Sequence, residues 1–325
     1  MQSSINISKI LIQTLQNYWG YNSFRDNQEE IIHSVISNKD TIALLPTGGG
    51  KSLCYQLPAL VLEGTCVVVS PLLALMKDQV QYLKSIGAEA ELLSSELDEG
   101  EEEEIYASCI EGITKLLYVS PERLQNQKFL EYIEQIEVSF IAVDEAHCIS
   151  EWGQDFRPSY QNIKHFRNQF KDVPCLALTA TATPKVLDDI KNKLDLHHPK
   201  VFQKSFRREN IQIFNDEVAD KYQHVFNILK HNNSSGIIYT RTRKEAELLT
   251  EFLQKCKISN VDYFHAGLSV LDKNRKQEKW QKSNNQVLIS TNAFGMGIDK
   301  DNVRFVIHFS PSASLENYYQ EIGRA

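Results

Sequence analysis

The stretch LPTGGGKS, at residues 45–52, decides the fold because it follows an apolar run at 41–45 and precedes a helical pattern. A strand, a glycine-rich turn and a helix in this order are the setting of a phosphate-binding loop. Glycines let backbone N–H groups converge on phosphate oxygens, and the helix start adds positive potential. We expect Lys51 to reach the β- and γ-phosphates of ATP and the Ser52 hydroxyl to bind Mg²⁺. The candidate nucleotide-binding residues of this loop are Thr47, Gly48, Gly49, Gly50, Lys51 and Ser52.

The loop departs from the full phosphate-loop pattern at its first position, where Leu45 replaces glycine. The alternative interpretation is an ordinary glycine-rich turn. The Gly-Lys-Ser sequence between a strand and a helix favours the phosphate loop.

Other apolar runs of strand length recur along the chain, separated by helical patterns. They span 41–45, 65–70, 115–120, 138–143 and 174–179 in the first half, and 235–240, 261–265, 287–291 and 303–309 in the second. Many are rich in Val, Ile and Leu without strict alternation, as expected for strands covered on both faces. Strands alternating with helices predict an α/β fold with mainly parallel sheets flanked by helices.

The division between domains is expected near residue 205. Residues 195–210 carry no strand pattern, so we place the link there and predict domains at 1–205 and 206–325. A length of 325 residues also suggests two domains.

Two helix starts are marked by local sequence. Thr183-Pro184 resembles an N-cap followed by proline at the first helical position. Thr242 and Glu245 form a capping box ahead of a helix with Ala246, Leu249 and Leu253 on one face.

Composition limits the function classes. The chain is 42% apolar and 24% charged, which is ordinary for a globular protein, and its net charge is −7. That charge argues against indiscriminate polyanion binding, although a local basic groove suffices for nucleic acid. No apolar run approaches the ~20 residues of a membrane helix, and the first ten residues lack a signal-peptide layout, so we expect a cytoplasmic protein. Six cysteines without a C-x-x-C pair indicate reduced thiols rather than a zinc site, and the acidic run at 98–104 predicts a solvated helix end.

A second candidate element of the nucleotide site is the Asp-Glu-Ala-His sequence at 144–147. It follows an apolar strand directly, and a carboxylate at the end of a buried strand can hold Mg²⁺ while its neighbour orients or deprotonates water. We assign Asp144 to the metal and Glu145 to the general base, and we include His147 among the catalytic candidates. The predicted metal ligands are therefore Ser52 and Asp144.

Tyr21, Phe24, Arg25 and Gln28 form a cluster upstream of the loop. Tyr and Arg side chains can sandwich an adenine ring, and a Gln amide can match its donor–acceptor edge. An ordinary helix start is an equally good interpretation of these residues alone.

Hydroxyl-bearing residues, glycines and basic residues follow several strand-like runs, where they can hold phosphates in register. The candidate nucleic-acid contacts are Ser70, Pro71, Ser120, Arg123, Thr179, Thr181, Tyr239, Arg241, His265 and Gly267. Each is a weak signal alone, because such residues are also common in turns.

The segment at 149–160, here called the aromatic-rich loop, contains Trp152, Phe156 and Arg157 close after Asp144. Bases stacking on aromatic rings gain ~1–3 kcal/mol each without sequence preference. We predict that this loop transmits nucleic-acid binding to the hydrolytic residues. The alternative is that Trp152 and Phe156 belong to the core.

In these segments the chain resembles the RecQ family of DNA helicases, within the second helicase superfamily. The resemblance runs from about residue 18 to 325, through LPTGGGKSLCYQL (45–57), DEAHCISEWGQDFRPSY (144–160), ALTATAT (177–183) and AFGMGID (293–299). It implies two RecA-like domains, ATP and Mg²⁺ as cofactors, and single-stranded and duplex DNA as partners, with unwinding of 3′→5′ polarity.

The resemblance also implies roles for particular residues. GYNSFRDNQEE at 20–30 is similar to the family's adenine-selecting element, which supports Tyr21, Arg25 and Gln28 as adenine contacts. Gly297 and Asp299 match a second-domain motif that faces nucleotide and DNA. Gln320 and Arg324 lie in the last helicase motif and are candidate nucleotide contacts.

Two departures from the family affect these expectations. Gln154 stands where the family usually has histidine in the aromatic-rich loop, so the coupling is expected to differ. The chain also stops at Ala325, before an arginine that resembles an arginine finger and before the family's zinc module. We therefore expect a second domain that is incomplete at its C-terminus, no zinc, and weak unwinding by residues 1–325 alone. A slow nucleotide-gated nucleic-acid binder and an RNA helicase of the same superfamily are the alternatives.

Overall fold

The computed structural model describes residues 2–153, 155–203, 210–292, 294, 300 and 302–325. It divides into two compact units, Met1–Ser205 and Phe206–Ala325. Each unit is described by itself below.

The first unit is built on one parallel sheet with the strand order β3-β4-β2-β5-β6-β1-β7. Its strands are β1 (Thr41–Leu44), β2 (Thr65–Val69), β3 (Ala90–Leu93), β4 (Leu116–Val119), β5 (Val138–Val143), β6 (Cys175–Thr179) and β7 (Lys200–Gln203). Its helices are α1 (Gln2–Trp19), α2 (Gln28–Ile36), α3 (Leu53–Val61), α4 (Leu73–Ser85), α5 (Glu99–Ile110), α6 (Gln127–Ile133), α7 (Asn162–Arg167) and α8 (Pro184–Lys193). Short 3₁₀ turns span Arg123–Gln125, Ala146–Ile149 and Pro158–Gln161.

The continuous apolar runs are explained by two cores, one on each face of this sheet. Val67 and Val69 of β2 lie in one core, whereas Cys66 and Val68 lie in the other. Successive strand residues point to opposite faces, so a strand covered on both sides needs apolar residues throughout. All four strand residues of β1 are buried for the same reason.

The second unit contains a smaller parallel sheet with the order β11-β8-β10-β9. Its elements are α9 (Lys221–Lys230), β8 (Ser235–Tyr239), α10 (Arg243–Lys255), β9 (Val261–Phe264), α11 (Val270–Lys282), β10 (Val287–Ser290), β11 (Val303–His308) and α12 (Leu315–Ile322). Ile238 and Ile237 enter separate cores on its two faces. The predicted α/β architecture of two parallel sheets flanked by helices is confirmed.

The predicted helix starts are also confirmed. Thr183 caps α8 through the N–H of Val186, with Pro184 at the first position. Thr242 and Glu245 form a complete capping box at α10, and Asp98 with Glu101 forms another at the acidic start of α5.

The expectation that residues 195–210 hold no strand is wrong, because β7 pairs with β1 at the sheet edge. Three of its four residues are exposed, so this strand needs no apolar pattern. β3 was likewise not predicted, since Glu91 interrupts its short apolar run.

Candidate functional site

The phosphate loop lies at the carboxyl edge of the first sheet, between β1 and α3. Gly48 and Gly50 have φ values of 73° and 74°, which side chains with a Cβ rarely adopt. A Cβ on Gly49 would lie 2.7 Å from the carbonyl oxygen of Pro46. All three glycines are therefore required by the backbone path. Thr47, Lys51 and Ser52 are half-buried in the same loop.

Two side chains, one just before α2 and one at its first residue, hold this loop in place. Arg25 Nη1 donates to the Gly48 carbonyl at 2.8 Å, and Gln28 Nε2 donates to the Gly50 carbonyl at 3.1 Å. The Gln28 Oε1 atom accepts the Arg25 N–H at 2.8 Å, and the Gln28 side chain is buried. The expected adenine contacts thus bind the phosphate loop directly. Tyr21 is 52% exposed and leaves its ring accessible for stacking, whereas Phe24 packs against the α1–α3 core.

The Asp144 carboxyl lies at the end of β5, in the next strand but one from β1. Its backbone is fixed on both sides, because its N–H donates to Val69 and its carbonyl accepts the Tyr160 hydroxyl at 2.8 Å. Burial and then the charge of Glu145 raise the pKa of Asp144 to about 7, while Lys51 opposes that rise. Lys51 is therefore near enough to stabilise the Asp144 carboxylate.

This pair of oxygen donors fits a hard divalent cation. The Asp144 carboxylate and the Ser52 hydroxyl are both ligand types that Mg²⁺ accepts. A buried carboxyl with a raised pKa lacks sufficient positive charge around it, and a bound divalent cation would supply that charge. Within the part of the chain that the structure describes, no group of three or more His, Cys, Asp or Glu side chains is arranged as a metal site.

Glu145 occupies a left-handed backbone conformation, with φ 46° and ψ 46°. Such a conformation is rare for a residue with a Cβ and costs of order 1–3 kcal/mol. Its Oε2 atom is buried and accepts no hydrogen bond, although His147 Nδ1 lies 3.3 Å away. The carboxylate therefore has one buried oxygen without a hydrogen-bond donor.

His147 joins the Asp-Glu segment to the end of β6. Its Nδ1 lies 3.0 Å from Thr179 Oγ1, and that hydroxyl donates its own hydrogen to the Thr181 carbonyl. Thr179 must then accept from His147, which assigns the proton to Nδ1. Burial lowers the pKa of His147, so the ring is neutral near pH 7.

The aromatic-rich loop is anchored to its surroundings by polar contacts. Arg157 Nη1 donates to the Pro71 carbonyl at 2.8 Å, and Arg157 also pairs with Asp155. Trp152 is 64% exposed, with Lys185 Nζ 3.1 Å from its ring centroid. Trp152 is therefore not part of the core, whereas Phe156 is half-buried.

Helix α8 contributes more to this loop than the sequence indicated. Asp189 accepts the Ser150 hydroxyl at 2.6 Å, and Lys193 donates to the Ile149 carbonyl at 3.3 Å. Together with Lys185 these residues form what we call the α8 clamp. The clamp was missed because its members are ordinary charged residues of an amphipathic helix. Gln154 lies outside the described residues.

Four candidate nucleic-acid contacts have side chains that are largely or fully buried and bonded within the protein. Arg123 is paired with Glu102, and both side chains are largely buried, so its cation is not available to a phosphate. Thr179 is fully buried and holds His147. Tyr239 is buried, and its hydroxyl donates to the Phe294 carbonyl at 3.0 Å. His265 is buried and bonded to Glu247.

The remaining candidates at strand ends differ in exposure, so a nucleic acid could reach only the exposed ones. Ser70 and Thr181 are buried, Pro71 and Ser120 are half-buried, and Arg241 and Gly267 are exposed. Arg243, which was not predicted, lies beside Gly267, because a Cβ there would be 2.9 Å from its Nη1 atom. The Arg-Thr-Arg spacing after β8 is the signal that could have identified it.

The candidate nucleotide contacts of the second unit are only partly described. Gln320 is buried in α12, and Arg324 follows that helix. Burial raises the pKa of Tyr239, and the charge of Arg324 opposes that rise. Gly297 and Asp299 lie outside the described residues. No described helix is both long enough and apolar enough to span a membrane.

A parallel sheet with a phosphate loop after one strand and an Asp-Glu pair after another, followed by a second parallel unit, defines a phosphate-loop protein of the RecA-like class. The chain belongs to the DEAD/DEAH box helicase family, whose model matches residues 25–190, and the helicase conserved C-terminal domain matches residues 220–325. The predicted resemblance to RecQ helicases is also confirmed. The ATP-dependent DNA helicase RecQ of Pasteurella multocida is 43% identical over 322 residues, or 99% of this chain and 51% of that protein.

Solved structures confirm the fold of two RecA-like domains. The Mycobacterium smegmatis helicase Lhr, bound to single-stranded DNA and AMP-PNP, matches with a TM-score of 0.69 and 17% identity over 97% of this chain and 45% of its own. Dbp5 of S. cerevisiae, bound to RNA and ADP BeF3, matches with a TM-score of 0.72 and 17% identity over 97% and 83%. The chain spans about half the length of the RecQ relatives that it matches.

Proposed function

We propose that this chain is the motor core of an ATP-dependent DNA helicase, which moves 3′→5′ on single-stranded DNA and unwinds duplex DNA. The observation that carries the proposal is that the phosphate loop after β1 and the buried Asp144 after β5 lie at the same edge of one parallel sheet. The RecQ relatives supply DNA as the substrate class. We assign ATP binding and hydrolysis to a first helicase domain at 1–205, and a supporting role to a second at 206–325. A cytoplasmic setting in DNA repair or recombination is part of this proposal.

The phosphate loop would bind the triphosphate through the backbone N–H groups of residues 48–52 and the Lys51 ammonium. Ser52 and Asp144 would hold Mg²⁺, which when bound neutralises phosphate charge. Glu145 would take the proton from the attacking water. Tyr21 would stack on the adenine, with Arg25 and Gln28 beside it.

Coupling to DNA would proceed through contacts already formed in the first unit. A base stacked on Trp152 would engage the aromatic-rich loop, which contacts the segment after β2 through Arg157 and Pro71. The same loop continues from Asp144 and His147, so its position bears on the hydrolytic residues. In the second unit, Arg241, Arg243 and Gly267 offer exposed contacts for phosphates.

The stimulating nucleic acid decides between the DNA motor and its alternatives. We expect single-stranded DNA to raise ATP turnover more than RNA of the same base sequence. Equal or greater stimulation by RNA would favour the RNA helicase. Slow turnover that neither polymer raises would favour the nucleotide-gated binder. Displacement of streptavidin from the 5′ end of a biotinylated strand, but not from the 3′ end, would support 3′→5′ movement.

The phosphate-loop assignment is tested by Lys51→Ala. We expect ATP turnover to be abolished, because the cation that faces the phosphates and Asp144 is lost. Lys230→Ala, at an exposed position in the second unit, is the matched control and should retain turnover. Unfolding midpoints by circular dichroism should show that both variants fold. Normal turnover in folded Lys51→Ala would contradict the site.

A further inference from the structure

A cationic cavity lies at the amino edge of the first sheet, opposite the edge that carries the phosphate loop. Its volume is about 490 Å³, and it is formed where β1, β6 and β7 begin. Cationic and imidazole side chains dominate its lining, namely Lys39, Arg167, Lys171, His197, His198 and Lys200. None of the functional residues described above takes part in it.

The wall of this cavity is held by a buried polar network. Asp40 pairs with Arg167 Nη2 at 2.5 Å, and both side chains are about 95% buried. Asp40 also accepts the backbone N–H groups of Cys175 at 2.9 Å and His197 at 2.6 Å. Arg167 Nη1 donates to the Leu194 carbonyl at 2.7 Å. The three chain segments around the cavity are therefore fixed relative to one another before any ligand binds.

One donor of this network is left unused. The Arg167 Nε–H is buried and has no acceptor, although both Nη atoms are hydrogen-bonded. That N–H is closed off from solvent, so Arg167 shapes the wall of the cavity. The lysines and histidines that line the cavity are exposed, and they are the donors that a ligand can reach.

The charge of the cavity points to an anionic ligand. Lys39, Lys171 and Lys200 form no ion pair within the described residues, although Asp172 also lines the cavity. Four cationic side chains face two carboxylates, and Asp40 is already consumed by Arg167. With the histidines neutral, an excess of two positive charges remains, in a chain whose net charge is −7. Such a local excess attracts anions.

We propose that this cavity binds the phosphoryl group of a phosphate-bearing anion. Ammonium and imidazole donors line the cavity from three segments, and a phosphoryl group presents several charged acceptor oxygens to them. The cavity volume is within the range of small-ligand sites. The group can come from a free anion or from the backbone of a nucleic-acid strand.

The test is calorimetric titration of pyrophosphate into the full chain carrying Lys51→Ala, which weakens binding at the phosphate loop by removing its ammonium group. We expect saturable 1:1 binding that weakens at least tenfold when Lys39→Ala and Lys200→Ala are added. Lys230→Ala with Lys244→Ala removes two exposed lysines elsewhere and should leave the affinity unchanged. Circular dichroism checks that each variant folds.

Two results would overturn the proposal: an absence of saturable binding, or equal affinity in the cavity variant and the matched control. A glutamate octapeptide that binds where pyrophosphate does not would also overturn it, in favour of an acidic protein partner. A single-stranded oligonucleotide distinguishes the two sources. Its displacement of pyrophosphate assigns the cavity to strand phosphates, and its failure to do so assigns the cavity to free anions.

Discussion

At the scale of single residues, ionised Asp144 lowers the stability of the fold, although the same carboxylate is proposed to bind the metal. Its carboxyl is buried beside the negative Glu145, and both effects disfavour the ionised form. Burial of an insufficiently compensated charge costs free energy of folding. The same carboxylate is the proposed metal ligand, so the protein maintains a destabilising charge where the chemistry needs it.

Asp144→Asn should therefore stabilise the metal-free protein while abolishing hydrolysis. The pKa of Asp144 is raised from 3.8 to about 7, so its unfavourable effect is absent below about pH 4 and complete above about pH 7. At pH 8 with chelator, we expect Asp144→Asn to unfold at a higher temperature than the unsubstituted chain. The midpoint should rise by about 2–4 °C for each kcal/mol gained in the free energy of unfolding. The gain should disappear as the pH falls toward 4.

Differential scanning calorimetry from pH 4.5 to 8 measures this effect. Asp188→Asn is the matched control, because that carboxylate is 69% exposed and its loss should change the midpoint little. A lower midpoint for Asp144→Asn at pH 8 would show that the carboxylate stabilises the fold.

The thiols give a second test at this scale. All six cysteines lie in the described part of the chain, and five are buried, whereas Cys256 is partly exposed. Burial raises the pKa of Cys54 to about 12, so its reactive thiolate is scarce. We expect Ellman's reagent to label one thiol quickly in the native protein and six after denaturation. Cys256→Ser should remove the fast phase, and a persistent fast phase would locate it elsewhere.

At the scale of elements, the aromatic-rich loop and the α8 clamp form one unit. Lys185 lies over the exposed Trp152 ring, and Asp189 and Lys193 hold the residues that lead into the loop. A base that stacks on Trp152 must share the ring with Lys185 or displace it. The loop is thus positioned before DNA arrives.

Trp152→Ala should weaken the response to DNA without lowering basal ATP turnover. Loss of one stacked base is worth ~1–3 kcal/mol, so the DNA concentration for half-maximal stimulation should rise roughly 5- to 150-fold. Phe214→Ala is the matched control, because Phe214 is 79% exposed in another loop. An equal fall in basal and stimulated rates would argue for a structural role of Trp152.

Most elements were predictable because local sequence decides them. Buried strands such as β5 require unbroken apolar runs, and α10 is marked by its capping box. β7 was missed because an exposed edge strand is specified by its pairing with β1 rather than by its own composition.

The candidate site was predictable where neighbouring residues of one motif act together, as in the phosphate loop around Gly48 and in the Asp-Glu-Ala-His segment that begins at Asp144. It was not predictable where partners come from distant segments. Arg123 looked accessible until Glu102 of α5 was found beside it, and nothing local marks Lys185 as a partner of Trp152. The Tyr239 side chain, at the end of β8, is buried, and its hydroxyl donates to the backbone carbonyl of Phe294.

For the whole molecule, the important feature is that each unit has separate cores. Residues such as Val67 and Phe140 pack within the first unit, and residues such as Ile238 and Leu253 pack within the second. Each sheet is therefore stabilised by its own helices, and the phosphate loop lies within the first unit.

Calorimetry should resolve two unfolding transitions, and ADP should raise the one that belongs to the first unit. Ligand at 100 times its dissociation constant adds about 2.7 kcal/mol. For a unit of this size the midpoint should rise by roughly 5–10 °C. Lys51→Ala should abolish the shift. A single transition that ADP moves as a whole would show that the units unfold together.

The buried Gln28 amide, which binds both its own helix start and the Gly50 carbonyl, has a consequence for how this protein can evolve. The Gln28 side chain contacts both the segment expected to select the base and the loop expected to bind the phosphates. A substitution at Gln28 therefore affects both properties. A substitution that retuned the preference from adenine to guanine would also release Gly50, and turnover would fall before a new specificity could be selected.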